Sequence, residues 1–187
     1  MLRLEPPSPP LDDGVVRLEP LTLDDEADMD TLARDPEVAR FTYVPVPPTE
    51  GFARSWIERY LRGWEEGALA GFSVRESGGS TFLGFAGVVR LDPDGREGEI
   101  GFIVARAARG RGVATRALPL VSSWALFRVG LLRVELRIDV ENTGSIRVAE
   151  RAGFVREGVL RSAHFKQGLR SDVAVYSLLP GDVPPAP

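Results

Sequence analysis

The chain has 187 residues, 43% of them hydrophobic and 27% charged, which points to one globular domain able to bury roughly 70% of the surface its unfolded chain exposes. A net charge of -4 offers no global basic field for nucleic acid or an anionic membrane, the absence of cysteine excludes disulfides, thiolate zinc sites and cysteine nucleophiles, and the lone histidine, His164, leaves no two-histidine metal site. No apolar run is long enough to cross a membrane and the start, Met1 to Pro7, is too acidic and proline-broken for a signal peptide, so the expectation is a cytoplasmic protein without a metal.

Proline-rich stretches at both ends read as extended or disordered tails, 1–13 and 180–187, around a single domain over 14–179. Val15 to Leu18 reads as a first strand. Thr22 followed by Asp24, Asp25 and Glu26 is an N-cap with acids at the positive end of a helix reaching about Ala33. A helical turn from Glu37 leads into an aromatic, proline-stiffened connection, Phe41 to Pro48. Thr49 and Glu50 then open a second long helix with Trp56, Ile57, Tyr60, Leu61 and Trp64 on one face. Gly71 to Glu76, Thr81 to Leu91 and Glu97 to Val104 are strand-like and joined by tight turns, which makes them an antiparallel meander.

Val113 to Val129 reads as a helix closed by Gly130, and Pro119 inside it predicts a kink or a later start. Val134, Leu136, Ile138 and Val140 alternate with Arg133, Glu135, Arg137 and Asp139, the pattern of a half-buried strand. Asn142 caps a short helix ending at Ala152 and Gly153, and two last strands, about Phe154 to Phe165 and Asp172 to Leu178, flank a turn at Lys166 to Leu169. The order predicts a mixed α/β fold, with antiparallel strands followed by one right-handed parallel crossover.

Chemistry concentrates between the third meander strand and the helix at Val113. There Arg109, Gly110, Arg111, Gly112, Val113, Ala114 and Thr115 make a strand-turn-helix corner in which unpaired backbone N–H groups and the helix dipole converge on one spot. Glycine lets an anion approach the backbone, and Arg106, Arg109, Arg111 and Arg116 make the local field positive within an acidic chain. A solvated basic turn is the plain alternative. Of the 23 basic residues only Lys166 is lysine, so no Gly-Lys-Ser/Thr phosphate loop exists. A dinucleotide fingerprint fails at its third glycine, where Thr115 stands.

Arg109-Gly110-Arg111-Gly112-Val113-Ala114 matches the Arg/Gln-x-x-Gly-x-Gly/Ala signature, and the chain resembles the acetyl-coenzyme A dependent N-acetyltransferases, the GNAT superfamily. Asn142 opening a short helix, and Gly153-Phe154 closing it, are further matches; the stretch Glu135 to Gly158, with Arg17 to Leu21 and Asp35 to Val38, is similar to the branch of ribosomal-protein N-terminal (alanine/serine) acetyltransferases. The resemblance implies a mostly antiparallel sheet whose central parallel pair splays into a V, with helices on both faces. It implies that Arg109, Gly110, Arg111, Gly112, Val113, Ala114 and Thr115 hold the pyrophosphate of acetyl-CoA, while Ile103 and Val104 pair with its pantetheine arm and Asn142 and Ser145 touch it. It further implies transfer of acetyl to a small amine or a protein N-terminus, directly in a ternary complex, with a possible homodimer.

An ammonium must lose a proton before it can attack. Glu99, on the strand leading to the slot, is the first candidate base, and His164, an imidazole suited to proton relay, is the second. A solvent-facing carboxylate and a satisfied surface histidine are their plain readings. Many relatives place a tyrosine where Ala149 stands, to protonate the leaving thiolate; Ser145 looks like the serine used instead in the ribosomal-protein branch, and as a first-turn helix residue it also satisfies backbone donors. Phe41 and Tyr43, on the irregular connection, are candidates for the acceptor pocket. The missing tyrosine keeps open a second reading, a non-catalytic acyl-CoA binding or sensing domain.

Overall fold

The computed structural model describes residues 3–183; the end of the expected second tail, 184–187, lies outside them. Eight strands form one sheet: β1 (Leu11–Asp12), β2 (Val16–Pro20), β3 (Ala70–Glu76), β4 (Phe82–Asp92), β5 (Glu97–Val104), β6 (Arg133–Asp139), β7 (Val155–Lys166) and β8 (Leu169–Leu178). Their order is β1-β2-β3-β4-β5-β6-β8-β7, and every neighbouring pair is antiparallel except β5 with β6. The expected mixed fold with one parallel crossover is what forms.

Helices α1 (Glu26–Ala33), α2 (Pro36–Phe41), α3 (Phe52–Glu66), α4 (Val113–Ser123) and α5 (Thr143–Arg151) cover the sheet. On one face Leu118, Val121 and Ala149 pack with Phe72, Leu136 and Tyr176, all buried. On the other, Met29, Ile57 and Tyr60 pack with Phe85. Burying both faces in this way is what gives β3 and β4 their near-continuous apolar runs.

Two expectations need correction. The proline-rich start does not lie outside the fold, because Leu4 is fully buried, its N–H donates to the Gly67 carbonyl, and Leu11 and Asp12 pair with β2. A buried leucine anchors this segment through about 1.5–3 kcal/mol of hydrophobic burial that composition does not reveal. The helix containing Pro119 starts at Val113 without delay, and α spacing gives way only at Trp124, where wider π-helical turns run to Val129 before Gly130 ends them at φ +86. In the last hairpin, whose place in the sheet the sequence leaves open, β8 lies between β6 and β7, so its second strand meets the body of the sheet.

Candidate active site

The parallel pair is short. β5 and β6 are in register only from Glu97 opposite Arg133 to Glu99 opposite Glu135, and beyond Glu99 they diverge. β4 carries one extra residue, Val89, between the pairs Val88–Ile100 and Arg90–Glu99, so a bulge sits beside the divergence point. The result is a V whose inner edges are residues 100–104 and 136–139.

Charge pins the closed end. Glu135, 4% exposed, accepts from Arg90 Nη2 at 2.6 Å and Arg137 Nε at 2.9 Å, with Arg133 Nη2 at 3.4 Å. Burial pushes the Glu135 carboxyl up, but the Arg137 hydrogen bond and the charges of Arg137 and Arg90 outweigh it and hold the carboxyl below the usual range. Glu99 is part of the same cluster, 3.3 Å from Arg90 Nε and 3.7 Å from Arg137 Nε.

The V opens into a cavity of about 870 Å³. Glu99, Ile103, Val104, Arg109, Gly110, Gly112, Val113, Ala114, Thr115, Asn142 and Ser145 line it, together with Phe41 and Tyr43. The structure therefore brings the sequence-predicted residues to one place, with two exceptions. Arg111 is exposed and not part of the wall, and His164 lies one layer behind it, edge-on to Tyr43 at 4.8 Å between ring centroids.

At the mouth of the V, Gly110 and Gly112 have φ of +75 and +78, and a Cβ at either would meet nothing within 4 Å. The corner is a cradle that only glycine leaves fully open. No side chain caps α4 at Gly112, so its first-turn N–H groups are directed at this space. An open glycine turn, orphan helix amides and nearby arginines fit a diphosphate. Arg109 does not point at the cradle: its guanidinium is taken up by Asp35 at 2.8 Å and by Glu37, with Nε on the Val104 carbonyl at 3.3 Å. It braces the turn against α2.

Asn142 Oδ1 accepts from Ser145 N–H at 3.1 Å, which places both side chains at the cavity wall. Ala149 is fully buried beneath them. Trp56 and Tyr60, which the sequence offers for the acceptor pocket on the second long helix, line the cavity, as do Asp139, Arg137 and Arg59, which the sequence leaves unassigned. Burial pushes the Tyr60 hydroxyl up to about 12. Helical spacing of Trp56 and Tyr60 marked an apolar face without telling wall from core.

Lys166 was equally hard to foresee. Its ammonium donates to the carbonyls of Ala39, of Thr42 at 2.8 Å and of Val44 at 2.6 Å, tying the β7–β8 turn to the end of α2 and the Tyr43 loop. Lys166→Met keeps the stem and removes all three bonds. At about 1.5–3 kcal/mol for a charged hydrogen bond, part of it recovered by water, we expect a loss of about 2 kcal/mol in urea unfolding and faster amide exchange at 39–44.

A mixed sheet opened between its single parallel pair, with an anion cradle at the mouth and an amine-sized chamber behind it, is the architecture of acyl-coenzyme A dependent transferases. Residues 16–155 match the family model described as acetyltransferase (GNAT) domain, and the chain belongs to that family. The "Uncharacterized N-acetyltransferase p20" of Bacillus licheniformis is 28% identical over 145 residues, 78% of this chain and 82% of that one. The ribosomal-protein-serine acetyltransferase of Escherichia coli strain K12 is 30% identical over 95 residues, 51% of this chain and 53% of that one. The ribosomal L7/L12 alpha-N-protein acetyltransferase RimL, solved in complex with coenzyme A, shares the fold with a TM-score of 0.82 at 17% identity, covering 91% of this chain and 96% of that chain. The protein is an acetyltransferase that uses acetyl-CoA.

Proposed function

We propose that this enzyme acetylates a primary amine presented at a protein N-terminus, with a small amine as the second class of acceptor. The observation that carries the reading is the continuity of the cavity. The anion cradle at Gly110 and Gly112 and the aromatic side chains of Phe41, Tyr43 and Trp56, with Asp139, line one and the same cavity, so a donor held at the cradle and an acceptor amine can meet within it. Similarity to a ribosomal-protein-serine acetyltransferase supports a protein acceptor. Tyr43, which lines the cavity, is exposed, so the cavity reaches solvent there and leaves room for a chain that extends beyond the acetylated residue.

Bound acetyl-CoA supplies an activated acyl group as a thioester. The chain's part is to hold the diphosphate at the amides of Gly110 to Ala114, to align the arm along Ile103 and Val104, and to place Ser145 and Asn142 beside it. A panel of N-terminal peptides, polyamines and amino acids, assayed for thiol release between pH 6 and 9 with mass detection of product, tests the reading. We expect a peptide beginning with a small residue to be turned over fastest. A protein that acetylates only polyamines overturns the protein-acceptor assignment, and one that releases no thiol above hydrolysis with any amine overturns the transfer itself.

A further inference from the structure

We propose that His164 takes the proton from the acceptor ammonium and that Asp139, at the end of β6, positions the imidazole for it; this rests on the amine-acetylating reading above. His164 was one of two candidate bases in the sequence, and the structure separates them. The carboxylate of Glu99 is shared between Arg90 and Arg137. His164 has a lone pair to give.

β7 is exposed along most of its length, and His164 is its one buried residue. The inward turn has a local cause. Between the pairs Leu160–Val173 and His164–Ser171, three residues of β7, Arg161 to Ala163, face Asp172 alone. Ser162 is left-handed at φ +53, a conformation serine holds only where its surroundings impose it. Here the Asp172 carboxylate accepts from the Ser162 N–H at 2.8 Å and Arg170 donates to the Ser162 carbonyl at 2.7 Å. Bulges of this kind re-aim a side chain, and this one aims the chain's sole histidine at the cavity wall.

On the Nδ1 side, Asp139 Oδ2 lies 3.7 Å away and Ser171 Oγ 3.5 Å away, and the Ser171 hydroxyl donates to Asp139. That network assigns the ring proton to Nδ1 and the free lone pair to Nε2. Burial pushes the Asp139 carboxyl up, but the Ser171 hydroxyl, the Glu141 amide and the neighbouring imidazole more than reverse this, so Asp139 is held as the anion that would steady an imidazolium. Nε2 is buried, in a side chain whose residue is only 8% exposed, and has no partner among the described residues. Edge-on to the imidazole, at 4.8 Å between ring centroids, stands Tyr43, which is 75% exposed and lines the cavity, as Asp139 does. An incoming acceptor displaces the Tyr43 side chain and meets Nε2.

The other charges around this corner are already committed. Lys166 is bound to three carbonyls, Arg170 stacks over Phe165 at 5.0 Å, Asp172 holds Ser162, and Arg40 pairs with Glu141 at 2.7 Å. Asp139 is the ionised group within 4 Å of the ring. In the reaction an N–H bond of the ammonium breaks, its proton goes to Nε2 and its electron pair stays on nitrogen. That pair forms the new C–N bond as the C–S bond breaks with its electrons to sulfur. The second nitrogen proton ends on the thiolate, and the imidazolium returns its proton to water.

The test uses tag-free protein, in which His164 supplies the only imidazole signals. In wild type, nitrogen NMR should show the Nδ1–H form, and kcat at saturating substrates should rise with pH through the same midpoint that NMR reads, because the base must be neutral to accept a proton. Asp139→Asn removes the anion, so both midpoints should move to lower pH by about one unit or more. His164→Asn should lower kcat by about 10²–10⁴-fold and erase that limb, with acetyl-CoA affinity and melting temperature near wild type; His164→Gln repeats the measurement if the first variant folds poorly. A limb that survives in both histidine variants, or that disappears in Glu99→Gln instead, overturns the proposal. So does an NMR midpoint indifferent to Asp139→Asn. A wild type that acetylates no amine would sink the acceptor reading, while the NMR comparison would still decide the pairing.

Discussion

Gly112→Asp is expected to abolish acetyl-CoA binding, a loss of at least about 100-fold by calorimetry, while the melting temperature changes by only a few degrees. The backbone at Gly112 is left-handed and a Cβ there meets nothing, so the substitution strains φ without a clash. Aspartate is among the residues that tolerate this region, at a cost of about 1–2 kcal/mol. Its carboxylate would sit among the uncapped amides at the start of α4, where the diphosphate is expected to lie, and would both repel it and take its hydrogen bonds. Gly112→Asn isolates the charge, having nearly the same shape and backbone tolerance, and should lose far less affinity. Unchanged binding in the aspartate variant would remove the diphosphate from this corner.

The second large effect falls on stability. Phe72 is fully buried at the junction of β3, α3 and the π-helical turns, edge-on to Trp64 at 5.3 Å and to Trp124 at 5.3 Å, while the two tryptophans meet at 5.8 Å. Phe72→Ala deletes the shared member of this triangle. Truncating a buried phenylalanine costs about 3–5 kcal/mol, against a total of about 5–15 kcal/mol for a domain. At about 2–4 °C per kcal/mol for a chain of this size, the melting temperature should fall by about 10 °C in scanning calorimetry. A fall below about 3 °C would mean that the triangle is not a main support of this core.

What could be read in the sequence follows from which signals are local. The alternation from Val134 to Val140, the turn from Arg109 to Ala114 and the cap at Asn142 each carry their own physics within a few residues, and each lies where the reading put it. Strand partners carry no such mark. Nothing in Phe154 to Phe165 announces that Asp172 to Leu178 would stand between it and β6, because period two fixes a face and not a neighbour. Leu4 offered one apolar residue among prolines, too little to outweigh composition. The Ser162 bulge is held by side chains of the opposite strand, Asp172 and Arg170, so serine at positive φ had no local signature. Asp139 was written off as the polar half of an alternating strand, and only the approach of His164 and Ser171 from the last hairpin gives it a second role.

The divergence of β5 from β6 has a further consequence. Along residues 100–104 and 136–139 the two strands face no partner across the V, so hydrogen-bonding groups that a closed sheet would satisfy depend on whatever enters the gap. An acyl-CoA arm lying along Ile103 and Val104, as proposed above, would with its own amides act as a ninth strand. Anything that binds the folded chain and not the unfolded one stabilises it by mass action, by about 2.7 kcal/mol when present at 100 times its dissociation constant. On that placement, the stability of this enzyme would follow the supply of its own donor, highest in a pool rich in acetyl-CoA and lowest in a depleted one.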